Sequence, residues 1–234
     1  MLMVNDIIEL ETLFSSNNYF GNNEGDFRIV SGNIPIMLSA PHAVNCIKHG
    51  SVKYADILTG SISLLMNKLT GCHVICSTKT SDYDSNSDDC EYRETLLRYI
   101  NDNDIQVLID IHGSSLNNPC AIEMGTSPLF DEGGNIIGDE LRSLKDKKYI
   151  VDIFEIMFTE LFEMNNCTKT CVCVNNIFTA GKTNTITKFI CDNTNCSSLQ
   201  LEINRTYRNI EDEKNLNVLL VGLKNIIKKI SLKL

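Results

Sequence analysis

Two histidines and a glutamate, each beside an apolar run, carry most of the chemistry this sequence offers. They stand in Ser39-Ala40-Pro41-His42, in Asp110-Ile111-His112-Gly113 and in Leu201-Glu202-Ile203-Asn204-Arg205. Two imidazoles and a carboxylate delivered from separate strands are the smallest kit for metal-assisted hydrolysis of an amide. The runs Ile34 to Leu38, Val107 to Ile109 and Leu199 to Leu201 read as buried strands, which brings the polar residues together at one edge of a sheet. Pro41 favours an extended residue before it and places His42 in the turn leaving its strand. Asp110 and His112 share one face of a period-2 strand, so Asp110 is a candidate to orient the ring, and Gly113 admits close approach by another group. Glu202, between Leu201 and Ile203, needs a partner because an unpaired buried carboxylate is costly; Arg205 in an ion pair and a metal-bound water are the two candidates. His49, in the turn Lys48-His49-Gly50, is near enough to His42 in sequence to offer a third nitrogen. His73, between Cys72 and Val74, has no chemical companion.

The elements that must position these residues alternate along the chain. An amphipathic opening segment, Asn5 to Phe14, leads into a polar loop over Ser15 to Gly25. Two strands, Phe27 to Val30 and Ile34 to Leu38, read as a hairpin joined at Ser31-Gly32-Asn33. Helical spacing of Ile57, Leu58, Ile62, Leu65 and Leu69 predicts a helix over Tyr54 to Leu69, stopped by Thr70-Gly71 before the strand His73 to Cys76. An acidic stretch, Thr80 to Glu91, precedes a helix over Tyr92 to Ile100 and the strand carrying His112. Ala121 to Met124, a Gly133-Gly134 turn, the helix Tyr149 to Met164, the strand Thr170 to Val174 and a short helix near Asn184 to Ile190 follow. The strand carrying Glu202 and a final helix from Glu211 complete the pattern. This alternation predicts one domain over residues 1–234: a three-layer α/β fold with a mixed, mostly parallel central sheet flanked by helices, binding its ligand beyond the carboxyl ends of the strands.

Composition narrows the function. With 234 residues, 43% hydrophobic and 22% charged, the chain has the makeup of a globular protein. A formal net charge of −9 repels a phosphate backbone and argues against nucleic-acid binding. Lys224, Lys228, Lys229 and Lys233 alternate with Leu223, Ile226, Ile227 and Ile230 as the wet face of an amphipathic helix. The first residues have no basic segment followed by an apolar stretch, and no run approaches membrane-spanning length, which predicts a cytoplasmic protein without membrane association. Ten scattered cysteines, with Cys72, Cys76, Cys171 and Cys173 on predicted buried strands, read as free thiols of a reducing compartment. Cys191 and Cys196 lack a second pair with zinc-ligand spacing.

From Asn33 to Arg208 the chain resembles the N-formylglutamate amidohydrolase-like proteins, whose sequences carry Ser-x-Pro-His, a later Asp-x-His, and a terminal Glu-x-Asn-Arg-like element. The resemblance implies a zinc carboxypeptidase-like fold with one Zn2+ per chain held by His42 and His112, and Glu202 as general base and then general acid. Asp84-Ser85-Asn86 resembles a substrate-binding Asp-x-Asn-Arg element in which Ser87 replaces the arginine, and Phe178 to Asn184 resembles a glycine-bearing loop near substrate. Zinc carboxypeptidases take an acidic ligand three residues after the first histidine, where this chain has Asn45; the third ligand is open among His49, Asn45 and another residue. Arg205, Lys182 and Asn86 are the candidates for binding substrate, which the resemblance makes an anionic N-acyl amino acid or γ-glutamyl compound. A binding protein of the same fold with incomplete metal ligation, and a peptidase or poly-γ-glutamate hydrolase, are the competing readings.

Overall fold

The computed structural model describes residues 2–21 and 25–234. Its elements run α1 (Leu2–Tyr19), β1 (Phe27–Val30), β2 (Ile36–Ala40), β3 (Cys46–Lys48), β4 (Ser51–Lys53), α2 (Thr59–Thr70), β5 (His73–Ser77) and α3 (Glu91–Asp102). Then come β6 (Val107–Ser114), β7 (Ile122–Gly125), β8 (Leu129–Phe130), β9 (Ile136–Ile137), α4 (Tyr149–Met164), β10 (Val172–Val174), α5 (Ile186–Asn193), β11 (Ser197–Asn204) and α6 (Glu213–Ser231). Seven strands form one sheet in the order β1-β5-β2-β6-β11-β7-β10. The pairs β5/β2, β2/β6, β6/β11 and β7/β10 are parallel, while β1/β5 and β11/β7 are antiparallel. This is the mixed, mostly parallel sheet that the strand–helix alternation predicts.

Side-chain period decides what each face of the sheet meets. Ile36, Leu38, Val107, Ile109, Ile111, Leu199, Leu201 and Ile203 point into the larger core, shared with α1, α2, α4 and α6. Met37, Ile75 and Leu108 point the other way, toward Tyr92, Leu96 and Ile100 of α3 and Ile186 and Ile190 of α5. On that second face the apolar layer stops partway up the strands. Above it lie Ser39, Asp110 and Gln200 in one register row and His112 and Glu202 in the next, all buried. Helix α6 buries Leu216, Leu219, Leu223, Ile226, Ile227 and Ile230 and leaves Lys228 and Lys229 exposed, as its periodicity predicts; Lys224 is half-buried, and Lys233 is exposed beyond the helix end. None of the described helices is long and apolar enough to cross a membrane.

Several expectations change. Strands β1 and β2 do not form a hairpin: β5 lies between them, antiparallel to β1 and parallel to β2, because β2 has a second buried edge to satisfy. Helix α1 runs through Ser15 and leaves helical geometry at Ser16, Asn17 and Asn18; residues 22–24 of the expected loop lie outside the described ones. Helix α2 begins at Thr59 rather than Tyr54, after Leu58 adopts a left-handed backbone (φ 71°), while Gly71 ends it as expected, its N–H returning to the Asn67 carbonyl. Cys120 and Cys173 are joined in a disulfide, with the Cys171 sulfur 3.2 Å from that of Cys173. The reading of ten free thiols fails for that pair because β7 and β10 are adjacent and β10 is a sheet edge, where Cys171 is exposed and Cys173 half-buried. Cys46, Cys72, Cys76 and Cys196 are free and buried.

Candidate metal centre

The site forms where β2, β6 and β11 end side by side and parallel. His42 follows β2 in the turn, whereas His112 lies within β6, directly opposite Glu202 of β11. The two rings meet through their Nδ1 atoms, 3.1 Å apart. Each Nε2 meets a carboxylate: His42 that of Asp84 at 2.7 Å, with the Lys53 ammonium also 3.1 Å away, and His112 that of Asp110 at 3.0 Å. A ring that donates from Nε2 to a carboxylate presents a lone pair at Nδ1. The third group facing these lone pairs is Asp56, whose Oδ2 lies 3.4 Å from both Nδ1 atoms. Two lone pairs and an anionic oxygen directed at one point repel unless a cation lies among them. Burial opposes ionisation of Asp56, but in the metal-free chain, where a proton can take the cation's place on Nδ1, His112 and His42 overcome it and hold the carboxyl well below the usual range.

Asp56 is the residue that sequence reasoning missed. The helical spacing places it inside a helix, yet it precedes the helix in a turn fastened at both ends. Its N–H donates to the His42 carbonyl (2.8 Å) and its carbonyl accepts from Thr59 Oγ1 (2.7 Å). No capping side chain marks this helix start, since Leu58 stands at the N-cap, so no local signal separates Asp56 from the helix. The alternatives for a third ligand are placed elsewhere. Asn45 is a structural brace, donating to the Asn18 carbonyl (3.0 Å) and accepting from the Ala55 N–H (2.9 Å). His49 is exposed at the tip of the β3–β4 hairpin with φ 51°. His73 has a structural companion after all: its Nδ1 accepts from the Gly32 N–H (3.1 Å) and lies 2.9 Å from the Tyr99 hydroxyl.

Glu202 lines the same cavity, 5% exposed. Its Oε1 accepts from Gln200 Nε2 at 2.8 Å rather than from Arg205. Burial pushes the Glu202 carboxyl up to about 7, against the lowering effect of nearby His112. This is a carboxyl able to take and return a proton near neutrality. Burial also disfavours the His112 cation, but the Asp110 charge outweighs it and raises the imidazole well above its ordinary value.

The cavity encloses about 330 Å³ and is walled by β3–β4 on one side and by the Ile177–Thr185 loop on the other. Lys48 and Lys53, on alternate sides of the hairpin turn, both reach Asp84 Oδ2, at 2.7 and 3.1 Å, and neither was singled out from the sequence. Lys182 lines the opposite wall, exposed, its Nζ over the Phe130 ring. Asn86 lines it too: its N–H donates to Asp84 Oδ1 and its Oδ1 accepts from the Ile186 N–H, both at 3.0 Å, which leaves the amide NH2 for a ligand. Arg205 is not brought in; it is exposed and lines a separate recess with Glu11 and Tyr19, because the chain turns away from the sheet immediately after Asn204. The Ile177–Thr185 wall hangs on Glu123 of β7, fully buried, whose Oε1 accepts from the Ile177 and Phe178 N–H groups.

No family model and no curated protein matches the sequence. Solved structures do resemble it. The N-formylglutamate amidohydrolase from Ralstonia eutropha is 13% identical with a TM-score of 0.56, over 89% of this chain and 97% of that one. A bacteriophage poly-γ-glutamate hydrolase is 12% identical with a TM-score of 0.52, over 91% of each chain. A gene product from Agrobacterium tumefaciens is 12% identical with a TM-score of 0.52, over 92% of this chain and 98% of that one. At these identities the likeness shows a common fold, the one expected from the sequence.

Proposed function

We propose that this chain is a zinc-dependent hydrolase of a carbon–nitrogen amide bond in a small anionic substrate, with the N-acyl amino acids as its leading class. The observation that carries the reading is the convergence of His42 Nδ1, His112 Nδ1 and Asp56 Oδ2 in a cavity that also holds Glu202. The donor set fits zinc in kind and in spacing. Tetrahedral bonds of about 2.0–2.1 Å set neighbouring donors about 3.3 Å apart, against 3.1, 3.4 and 3.4 Å here. Two imidazoles and a carboxylate leave one position open, as in zinc hydrolases. Zinc bound by His42, Asp56 and His112 would supply Lewis acidity toward the substrate carbonyl and a water acidified toward neutrality.

The chain's own groups do the rest. Glu202, with Oε1 held by Gln200, takes the proton of the attacking water and passes it to the departing nitrogen. Asp110 and Asp84 keep the Nε2–H tautomers that leave both Nδ1 atoms free as ligands. Lys48, Lys53 and Lys182 give the cavity rim a positive field within a molecule of net charge −9, which favours a substrate carrying carboxylates. The reading as a binding protein rested on the missing acidic ligand at Asn45, and Asp56 removes that ground. A γ-glutamyl polymer is the second substrate class, favoured by the likeness to the phage hydrolase and by the same cationic rim. Elemental analysis of purified protein, followed by hydrolysis assays on N-formyl, N-acetyl and N-succinyl amino acids beside poly-γ-glutamate, tests the proposal. About one zinc per chain and turnover of a member of the panel are expected; a protein that takes up no zinc overturns it.

A further inference from the structure

The zinc donors and Glu202 come from four places in the chain, and one side chain touches three of them. Arg208, 6% exposed, donates from Nε to the Ile203 carbonyl (3.0 Å), from one terminal nitrogen to the Ile57 carbonyl, and from the other to the Ser114 carbonyl (3.2 Å). Ile57 follows Asp56, Ile203 follows Glu202, and Ser114 is separated from His112 by Gly113 alone. The guanidinium fits there because of that glycine: a Cβ on Gly113 would collide with it. All its hydrogen bonds end on backbone, so it has no fork to spare for a substrate carboxylate. Its charge still matters, since it interacts with the carboxylates of Asp56 and Glu202.

From this we infer that Arg208 is a positioning residue: it locks the Asp56 turn and strands β6 and β11 into the spacing at which His42, His112 and Asp56 bind zinc. A planar fork suits this task, because its nitrogens fix three carbonyls in one plane, which a single ammonium cannot do. His42 needs no such tie of its own, for the Asp56 N–H already bonds to its carbonyl. Fixing Asp56 therefore fixes the turn that carries His42.

The inference rests on the zinc reading above, and zinc affinity separates the two without any substrate. Competition against a chromophoric chelator would be run on the full chain as wild type, Arg208→Lys and Arg208→Ala, with thermal melting to establish that each is folded. Arg208→Lys keeps the charge and loses the fork; zinc affinity is expected to fall about 10- to 100-fold, the range for groups that orient metal ligands. In Arg208→Ala, added guanidinium ion is expected to restore part of the lost affinity and added ammonium is not, a rescue that a general packing role would not show. A folded Arg208→Lys protein with wild-type zinc affinity overturns the assignment and leaves the hydrolase reading standing. Wild-type protein that binds no zinc overturns both. Should neither Arg208 variant fold, Gly113→Ala displaces the same guanidinium, and wild-type zinc affinity in that variant also overturns the assignment.

Discussion

The two histidines of the centre have the same partner type and opposite surroundings. His112 and Asp110 are two residues apart on one strand, fully within the sheet, and among the described residues no lysine or arginine bonds to Asp110. His42 and Asp84 are 42 residues apart, meet across two loops, and share Asp84 with Lys48 and Lys53, whose side chains are about one-third exposed. The inner pair is fixed by strand geometry; the outer pair is fixed by charges that reach in from the cavity rim. One half of the site is thus part of the scaffold, and the other half, equally buried, is tied to the cavity rim by Lys48 and Lys53. Glu202 belongs to the inner half, as the register partner of His112.

Experiments can sharpen that contrast. The largest effect is expected from removing a donor: His42→Ala, His112→Ala and Asp56→Ala should each reduce bound zinc from about one per chain to near none by elemental analysis, with turnover lost. Zinc retained at full occupancy in Asp56→Ala would return the third ligand to an unassigned position. Glu202→Gln should keep zinc and lower kcat by about 10²-fold or more, the range for losing a general base. In the wild type, kcat/KM should rise with pH through about 7 as the Glu202 carboxyl loses its proton.

The same substitution makes a stability prediction with the opposite sense. Glu202 has a folded pKa of about 7 against an unfolded value near 4.5, so the folded state holds the proton more tightly and metal-free wild type loses stability as pH rises between those values. Metal-free Glu202→Gln should therefore melt higher than metal-free wild type at pH 8, by at most about 3 kcal/mol, with the gap closing toward pH 5. A variant that melts lower at pH 8 would show that the carboxylate is well solvated or paired.

Next in size is the comparison of the two orienting carboxylates. Asp110→Asn and Asp84→Asn should each weaken zinc binding by about 10- to 100-fold. The Asp84→Asn loss should shrink with added salt because its lysines are screened, and the Asp110→Asn loss should not. Equal salt dependence would mean that Lys48 and Lys53 do not set the two pairs apart. The smallest effect is expected at the rim, where Lys48→Ala or Lys53→Ala should raise KM for an anionic substrate a few-fold and flatten its salt dependence, each exposed ammonium contributing on the order of 1 kcal/mol or less.

The same contrast explains what the sequence could reveal. The inner half was legible because period-2 alternation places Asp110 beside His112 without reference to anything distant, although the same rule, which puts Gln200 beside Glu202, was passed over in favour of Arg205. Apolar strands, helical periodicity in α4 and α6 and the Gly71 stop followed from equally local rules. The outer half depends on long-range meetings. Asp84 stood within a recognisable Asp-Ser-Asn element, but nothing local ties it to His42, and Asp56 was concealed by Ile57 and Leu58, whose spacing extends the helical pattern of α2 backward. The strand β5 was expected, but its place between β1 and β2 was hidden for the same reason, since a short turn between β1 and β2 looks like a hairpin until a third strand is known to need both edges.

The position of β11 governs when this protein can become competent during its own synthesis. It is the last strand in the chain, yet it lies between β6 and β7, pairing with both, and it supplies Gln200 and Glu202. A nascent chain that has emerged only as far as α5 has β6 and β7 facing an unfilled slot, with unpaired strand edges that invite association with other chains. Closure of the sheet, burial of the His112–Asp110 pair and completion of the cavity become one late event, dominated by contacts distant in sequence and correspondingly slow.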